Sequence, residues 1–119
     1  MEKIIITATA ESIEQVKELL EAGVDRIYVG EKNYGLRLPH TFSYDELREI
    51  ANLVHEAGKE IVVAVNALMH QEMMDKIKPF LDFLAEIQTD YITVGDAGVF
   101  YVVNRDQYPF KTIYDASTM

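Results

Sequence analysis

The sequence predicts an α/β protein: the N-terminal half of a (β/α)8 barrel, truncated after about five parallel strands that alternate with helices. Three observations predict it. A phrase made of a helix end, a short polar turn and an apolar strand recurs, as Glu21-Ala22-Gly23-Val24-Asp25-Arg26-Ile27-Tyr28-Val29-Gly30, as Glu56-Ala57-Gly58-Lys59-Glu60-Ile61-Val62-Val63-Ala64-Val65, and as Glu86-Ile87-Gln88-Thr89-Asp90-Tyr91-Ile92-Thr93-Val94-Gly95. The copies recur about every 30 to 35 residues, the length of a βα unit whose strands pair in parallel. The sequence also stops just beyond a fifth strand, where a doubly wound domain would place one more helix to cover a sheet face. A complete five-stranded doubly wound domain is the competing reading, since a full barrel takes about 250 residues. Either way, residues 1–119 read as one domain, in the barrel reading a partial one.

The elements follow in order. Lys3 to Ala8 is a β-branched apolar run and reads as the first strand. Ser12 and Gln15 have the spacing of a capping box, in which both side chains satisfy free donors at a helix start. Ile13, Val16, Leu19 and Leu20 then share one helical face, and Gly23 is the expected stop. Arg26 to Gly30 is the second strand. The polar stretch Glu31 to Thr41 is long for a loop after a strand, where about two to six residues are usual, and long loops are more often functional. Ser43 and Glu46 form a second capping box ahead of the stripe Leu47, Ile50, Ala51 and Val54, and Gly58 ends that helix. Glu60 to Leu68 is the third strand. The third helix runs from about Gln71 to Ile87 on the stripe Met74, Ile77, Leu81 and Leu84, with Asp75, Lys76, Lys78, Asp82 and Glu86 reading as a solvated face, and Pro79 within it predicts a kink or break because it lacks a backbone donor. Tyr91 to Gly95 is the fourth strand, Val99 to Asn104 is at best a short helix, and Lys111 to Tyr114 is the fifth strand.

Composition narrows the function. The formal net charge of −9 disfavours nucleic-acid binding through the average surface, because phosphate contacts need clustered Lys and Arg. The chain has no cysteine, hence no disulfide, thiol nucleophile or thiolate metal site. Met1 to Ile6 lack the basic start and apolar run of a signal peptide, and no segment approaches the roughly 20 apolar residues of a membrane span. A cytoplasmic protein with no membrane partner is expected.

Parallel strands bring the residues after each strand to one edge of the sheet, the edge where α/β proteins carry out chemistry. That edge collects Thr7 and Thr9; Glu31, Lys32, Asn33 and Arg37; Asn66 and His70; Asp96; and Asp115, Ser117 and Thr118. Arg37 is a candidate bidentate clamp on carboxylate or phosphate, and otherwise a surface loop residue. Asn66 ends an apolar strand and must be hydrogen-bonded, to protein or to substrate. Asp96 is a candidate to orient a partner or act as acid or base; its alternative is to cap the next helix. His70 and His40 are candidate ligands or bases with helix-capping and loop alternatives, while His55 lies within a helix and reads as structural or solvent-facing. Ser117 and Thr118 show neither a Ser-His-Asp pattern nor nucleophile-elbow glycines. The substrate-binding candidates are therefore Arg37, Asn66, His70, Asp96, Ser117 and Thr118, with no metal ligand and no assigned catalytic residue. The glycines form no dinucleotide or phosphate-loop fingerprint.

Taken in order, Ala22-Gly23-Val24-Asp25, Tyr28-Val29-Gly30, Tyr34-Gly35-Leu36-Arg37, Ala64-Val65-Asn66-Ala67-Leu68-Met69-His70, Val94-Gly95-Asp96-Ala97-Gly98 and Ala116-Ser117-Thr118 resemble the N-terminal part of the peptidase U32 family. The resemblance covers essentially the whole chain. It implies a (β/α)8 barrel of a kind often called collagenase-like protease. It also implies relatives that hydroxylate RNA bases (tRNA uridine at ring position 5, or a ribosomal RNA cytidine) or quinone precursors, the tRNA branch drawing on prephenate. Those relatives resemble iron–sulfur proteins whose cysteines lie further along the barrel. This chain holds none, so the expectation is no cofactor among these residues and an iron–sulfur cluster only in a C-terminal part beyond them. Where the family commonly has glutamine after the Ser-Thr pair, this sequence has Met119.

The resulting expectation is the N-terminal part of a U32 enzyme acting in tRNA wobble-uridine 5-hydroxylation, inactive as an isolated piece, with tRNA or a protein as substrate of the intact enzyme. A genuine peptidase is one alternative. A complete small-molecule-binding or signalling module is another, although a receiver domain would need acids after strand one and an aspartate where Asn66 stands. Open barrel edges predict self-association, as a dimer.

Overall fold

The computed structural model describes residues 4–31, 40–65, 71–94 and 97–114. They form β1 (Thr7–Thr9), α1 (Ile13–Glu21), β2 (Arg26–Gly30), α2 (Tyr44–Glu56), β3 (Glu60–Val65), α3 (Gln71–Glu86), β4 (Tyr91–Val94), α4 (Ala97–Arg105) and β5 (Lys111–Tyr114). All strands are parallel and each lies beside its neighbour in sequence, in the order β1-β2-β3-β4-β5. That order decides between the two readings. A doubly wound sheet reverses direction at a switch point, and this one never does. With right-handed crossovers, an unreversed order puts every connecting helix on the same face, the winding of a partial (β/α)8 barrel.

The apolar residues follow that one-sided arrangement. Ile27 and Val29 of β2, Ile61, Val63 and Val65 of β3, and Ile92 and Val94 of β4 form one core with Val16, Leu47, Ile50, Val54, Ile77, Leu81, Leu84, Val99 and Val102 of the helices. Each fully buried Leu or Ile contributes about 1.5–3 kcal/mol from apolar burial. Val62 and Ala64, buried on the opposite face, are not part of that core.

Local chemistry sets the helix ends. Ser12 Oγ accepts from the Gln15 N–H at 3.0 Å, and the Gln15 side chain accepts from the Glu11 N–H, one residue earlier than a strict capping box. At α2 the box is complete, with Ser43 and Glu46 each bonding the other's backbone. All four helices close in one way. In α1 the Gly23 N–H donates to Leu20 and Val24 to Leu19. Gly58 and Lys59 repeat this on His55 and Val54, Gln88 and Thr89 on Ala85 and Leu84, and Gln107 and Tyr108 on Asn104 and Val103. This Schellman geometry needs a left-handed residue. Gly23 (φ +94°) and Gly58 (φ +73°) adopt it freely, whereas Gln88 (φ 60°) and Gln107 (φ 55°) do so with a Cβ.

Four expectations need correction. The first strand is Thr7–Thr9 rather than Lys3 to Ala8: β2 starts opposite Thr7, so the exposed Ile4 and Ile5 extend past the sheet, and Ile6 is held where its carbonyl accepts from the Asp25 and Arg26 N–H groups. Of the kink or break expected at Pro79, the break does not occur, because buried Ile77, Phe80, Leu81 and Leu84 hold α3 across one lost bond. The short helix after β4 is a full nine-residue α4, stabilised by Val99, Val102 and Val103 on one buried side despite weak helix formers. The polar side of α3 is not merely solvated: Lys78 pairs with Asp106 at 3.7 Å, Asp82 accepts from the Tyr108 hydroxyl at 2.6 Å, and Glu86 pairs with Arg48 at 3.1 Å. The expected ends of the third strand at Leu68 and the fourth at Gly95 fall outside the described residues.

The N-terminal edge of the sheet is tied by two aspartates, each standing just before a strand. The Asp25 carboxylate accepts from the Ile6 N–H at 3.0 Å. Asp90 Oδ2 accepts from the Ile61 N–H and from His55 Nε2, both at 2.9 Å, joining α2, β3 and the start of β4. His55 is thus structural, as the sequence suggests.

Two sets of substitutions check this account by urea unfolding. Gln88→Gly and Gln107→Gly each raise the unfolding free energy by about 0.5–1 kcal/mol, and Gly58→Ala, which meets no neighbouring atom, lowers it by a similar amount. Asp90→Ala lowers it by about 1–3 kcal/mol, because it strands the Ile61 N–H and the His55 ring.

Candidate functional site

Strand alternation sorts the sheet into two faces. Residues sharing the parity of Ile27, Ile61 and Ile92 point into the helix layer. The other face carries Thr7 and Thr9 of β1, Arg26, Tyr28 and Gly30 of β2, Glu60, Val62 and Ala64 of β3, Tyr91 and Thr93 of β4, and Lys111 and Ile113 of β5. In barrel winding this is the inner face, and here it is unusually polar.

Side chains on this face bond across β3. Tyr28 Oη and Thr93 Oγ1 share a hydrogen bond of 2.9 Å. Because Tyr28 is in register with Val62 and Thr93 with Ala64, the tyrosine ring crosses β3 between them, which accounts for the burial of both. Toward the N-terminal edge, Arg26 and Glu60 stand opposite each other in register and pair at 3.0 Å. The Arg26 guanidinium lies 4.2 Å from the centre of the Tyr91 ring, and the Lys111 ammonium lies 5.8 Å from the same ring. The Glu60 hydrogen bond, against the effect of burial, raises the Arg26 pKa above its ordinary value.

At the C-terminal edge the ends of β2, β3, β4 and β5 are Gly30, Val65, Val94 and Tyr114. Chain connectivity leads from these ends into the candidates: Asn66 follows Val65 directly, Asp96 comes two residues after Val94, Ser117 and Thr118 follow Tyr114 by three and four, and Arg37 lies in the segment leaving β2. His70 directly precedes α3 and Asp96 directly precedes α4. Arg37, Asn66, His70, Asp96, Ser117 and Thr118 themselves lie outside the described residues, as do Lys32, Asn33 and Asp115.

Other edge residues are placed. Thr7 pairs with Arg26 and so sits near the N-terminal edge instead. Glu31 is buried and bridges in parallel to Phe42; its parity turns it toward the helix layer, near Tyr44 at the start of α2. Burial, and secondly the charge of Glu31, raise the pKa of the Tyr44 phenol. A carboxylate near a helix N-terminus is favourably placed, which suits the buried Glu31 to this position. His40 packs edge-on against Phe42 with ring centres 4.9 Å apart. The Tyr28–Thr93 pair is absent from the sequence-derived candidates. Its signal was available in the alternation of polar residues through strands that a fully buried parallel sheet would fill with Val, Ile and Leu. Among the described residues no group of three His, Asp or Glu side chains could hold a metal ion, and no helix is long and apolar enough to cross a membrane.

An unreversed parallel sheet with a helix after each of its first four strands has the winding of a partial (β/α)8 barrel. The sequence profile of peptidase family U32 matches residues 11–119, and the chain belongs to that family. It is 30% identical over 118 residues to tRNA hydroxylation protein P2 of Bacillus subtilis, covering 99% of this chain and 38% of that protein. It is 24% identical over 106 residues to an uncharacterized protease of Methanocaldococcus jannaschii, covering 88% of this chain and 26% of that one. The chain therefore spans well under half the length of these relatives. The solved structure of Streptococcus suis SuiB shares the fold, with a TM-score of 0.60 at 14% identity over 92% of this chain and 32% of SuiB.

The inner-face bond gives a direct check. Tyr28→Phe lowers stability by about 0.5–1.5 kcal/mol, the net worth of one hydrogen bond. Ala64→Leu costs about 1–3 kcal/mol through overpacking beneath the tyrosine, read by thermal unfolding.

Proposed function

We propose that this chain is the N-terminal part of a U32 enzyme that acts in 5-hydroxylation of the tRNA wobble uridine. The observation that carries the reading is the 30% identity to a tRNA hydroxylation protein maintained over 118 residues, which spans every strand end leading into a candidate residue. In this reading Arg37 clamps a carboxylate or phosphate, Asn66 and His70 hydrogen-bond substrate, Asp96 orients it or moves a proton, and Ser117 and Thr118 complete the edge. The chain supplies no thiolate, so an iron–sulfur cluster would be held by residues beyond these. The net charge of −9 likewise assigns most RNA contact to other residues or to a partner. The isolated piece is inactive and self-associates through its open edge strands.

Nucleoside mass spectrometry of tRNA from the source cells tests the reading. Deleting the gene removes 5-hydroxyuridine-derived wobble nucleosides, the wild-type gene restores them, and Arg37→Ala or Asp96→Ala restores about a tenth or less, as loss of a charge-assisted hydrogen bond predicts. Unchanged nucleosides after deletion, together with peptide cleavage by the intact protein that Ser117→Ala abolishes, would establish the peptidase instead.

A further inference from the structure

Lys111 opens β5, an edge strand of the sheet, and lies on the inner face. Its ammonium lies 5.8 Å from the centre of the Tyr91 ring, and among the described residues it makes no ion pair. The neighbouring charges are already engaged: Glu60 pairs with Arg26, and Asp90 bonds His55 and the Ile61 N–H. Two cationic side chains thus lie by one tyrosine ring, and the carboxylate of Glu60 is paired with only one of them, Arg26.

Resting on the reading above, we propose that β5 is covered by a further parallel strand, supplied by residues of the same polypeptide beyond 119, whose inner-facing side chain beside Lys111 is Asp or Glu. Covering this edge takes the Lys111 ammonium out of water, and an ammonium buried without a counter-charge is strongly unfavourable. The cation–π contact with Tyr91 offsets only a small part of that cost. A second copy of the described residues does not provide the complement. On this face β1 presents only Thr7 and Thr9 and β5 only Lys111 and Ile113, so neither edge strand of a second copy brings an acid. The relatives are long enough to supply further strands, since this chain covers only 38% and 26% of their lengths.

The test uses the native full-length protein. An amine-acetylating reagent is applied for a time series and modification is mapped by peptide mass spectrometry, with the exposed Lys17 as internal reference. Acetylation needs the neutral, accessible amine, so a paired and covered Lys111 reacts at least about tenfold more slowly than Lys17. A zero-length carbodiimide then joins Lys111 to an Asp or Glu beyond residue 119 within one polypeptide. Equal acetylation of the two lysines overturns the proposal. So does a protected Lys111 that forms no amide, one that joins Glu60, or one that joins a second copy. Neither readout uses tRNA, so an enzyme that hydroxylates tRNA with Lys111 free overturns this inference and leaves the functional reading standing.

Discussion

Each strand pairs in parallel with the strand before it in sequence, and the rest of the architecture depends on that constraint. A right-handed crossover between adjacent parallel strands places its helix on a fixed side, so four successive units without reversal stack α1 to α4 on one face. One parity of strand residues is then committed to a helix-covered core. The other parity faces the hollow of the curve, where β-branched filling gives way to the Tyr28–Thr93 bond and the Arg26, Glu60, Tyr91 and Lys111 group. The same constraint gathers every loop that follows a strand at one edge, far from the turns that precede the strands.

The two edges divide the work. At the N-terminal edge the repeated helix closures, the Asp25 and Asp90 carboxylates and the His55 contact fix how each helix hands over to the next strand. These contacts consume the polar groups they involve and leave little to act on a substrate. At the C-terminal edge β2, β3 and β4 end in small or apolar residues, Gly30, Val65 and Val94, and polar residues follow them in sequence. Barrel enzymes separate stability from chemistry in this way.

Much of the fold was legible because it is written in local chemistry. Ser12, Ser43, Gly23 and Gly58 mark helix ends by hydrogen bonding and left-handed geometry, which a sequence displays directly. Gln88 and Gln107 do the same work without the glycine signal. α4 was underestimated because Val99, Val102 and Val103 owe their helical state to burial, which local propensity does not report. Strand one was set too early because pairing with β2, rather than β-branched composition, decides where an edge strand begins. Glu31 was grouped with the site residues because a loop-side acid invites that reading, and only strand parity shows that it faces α2. The candidate site was legible as positions following strand ends. Arg37, Asn66 and Asp96 are far apart in sequence and lie outside the described residues, and no local pattern encodes their relative placement.

The central claim is that this sheet is one side of a barrel whose inner face and edge strands are completed by further residues of a U32 enzyme. The most direct measurement is the intact mass of the gene product isolated from its source cells. The account predicts a mass roughly twice the 13.6 kDa of this chain or more, as a full barrel requires. A product of 13.6 kDa would contradict it, leaving a small α/β domain that must satisfy its exposed inner face by other means.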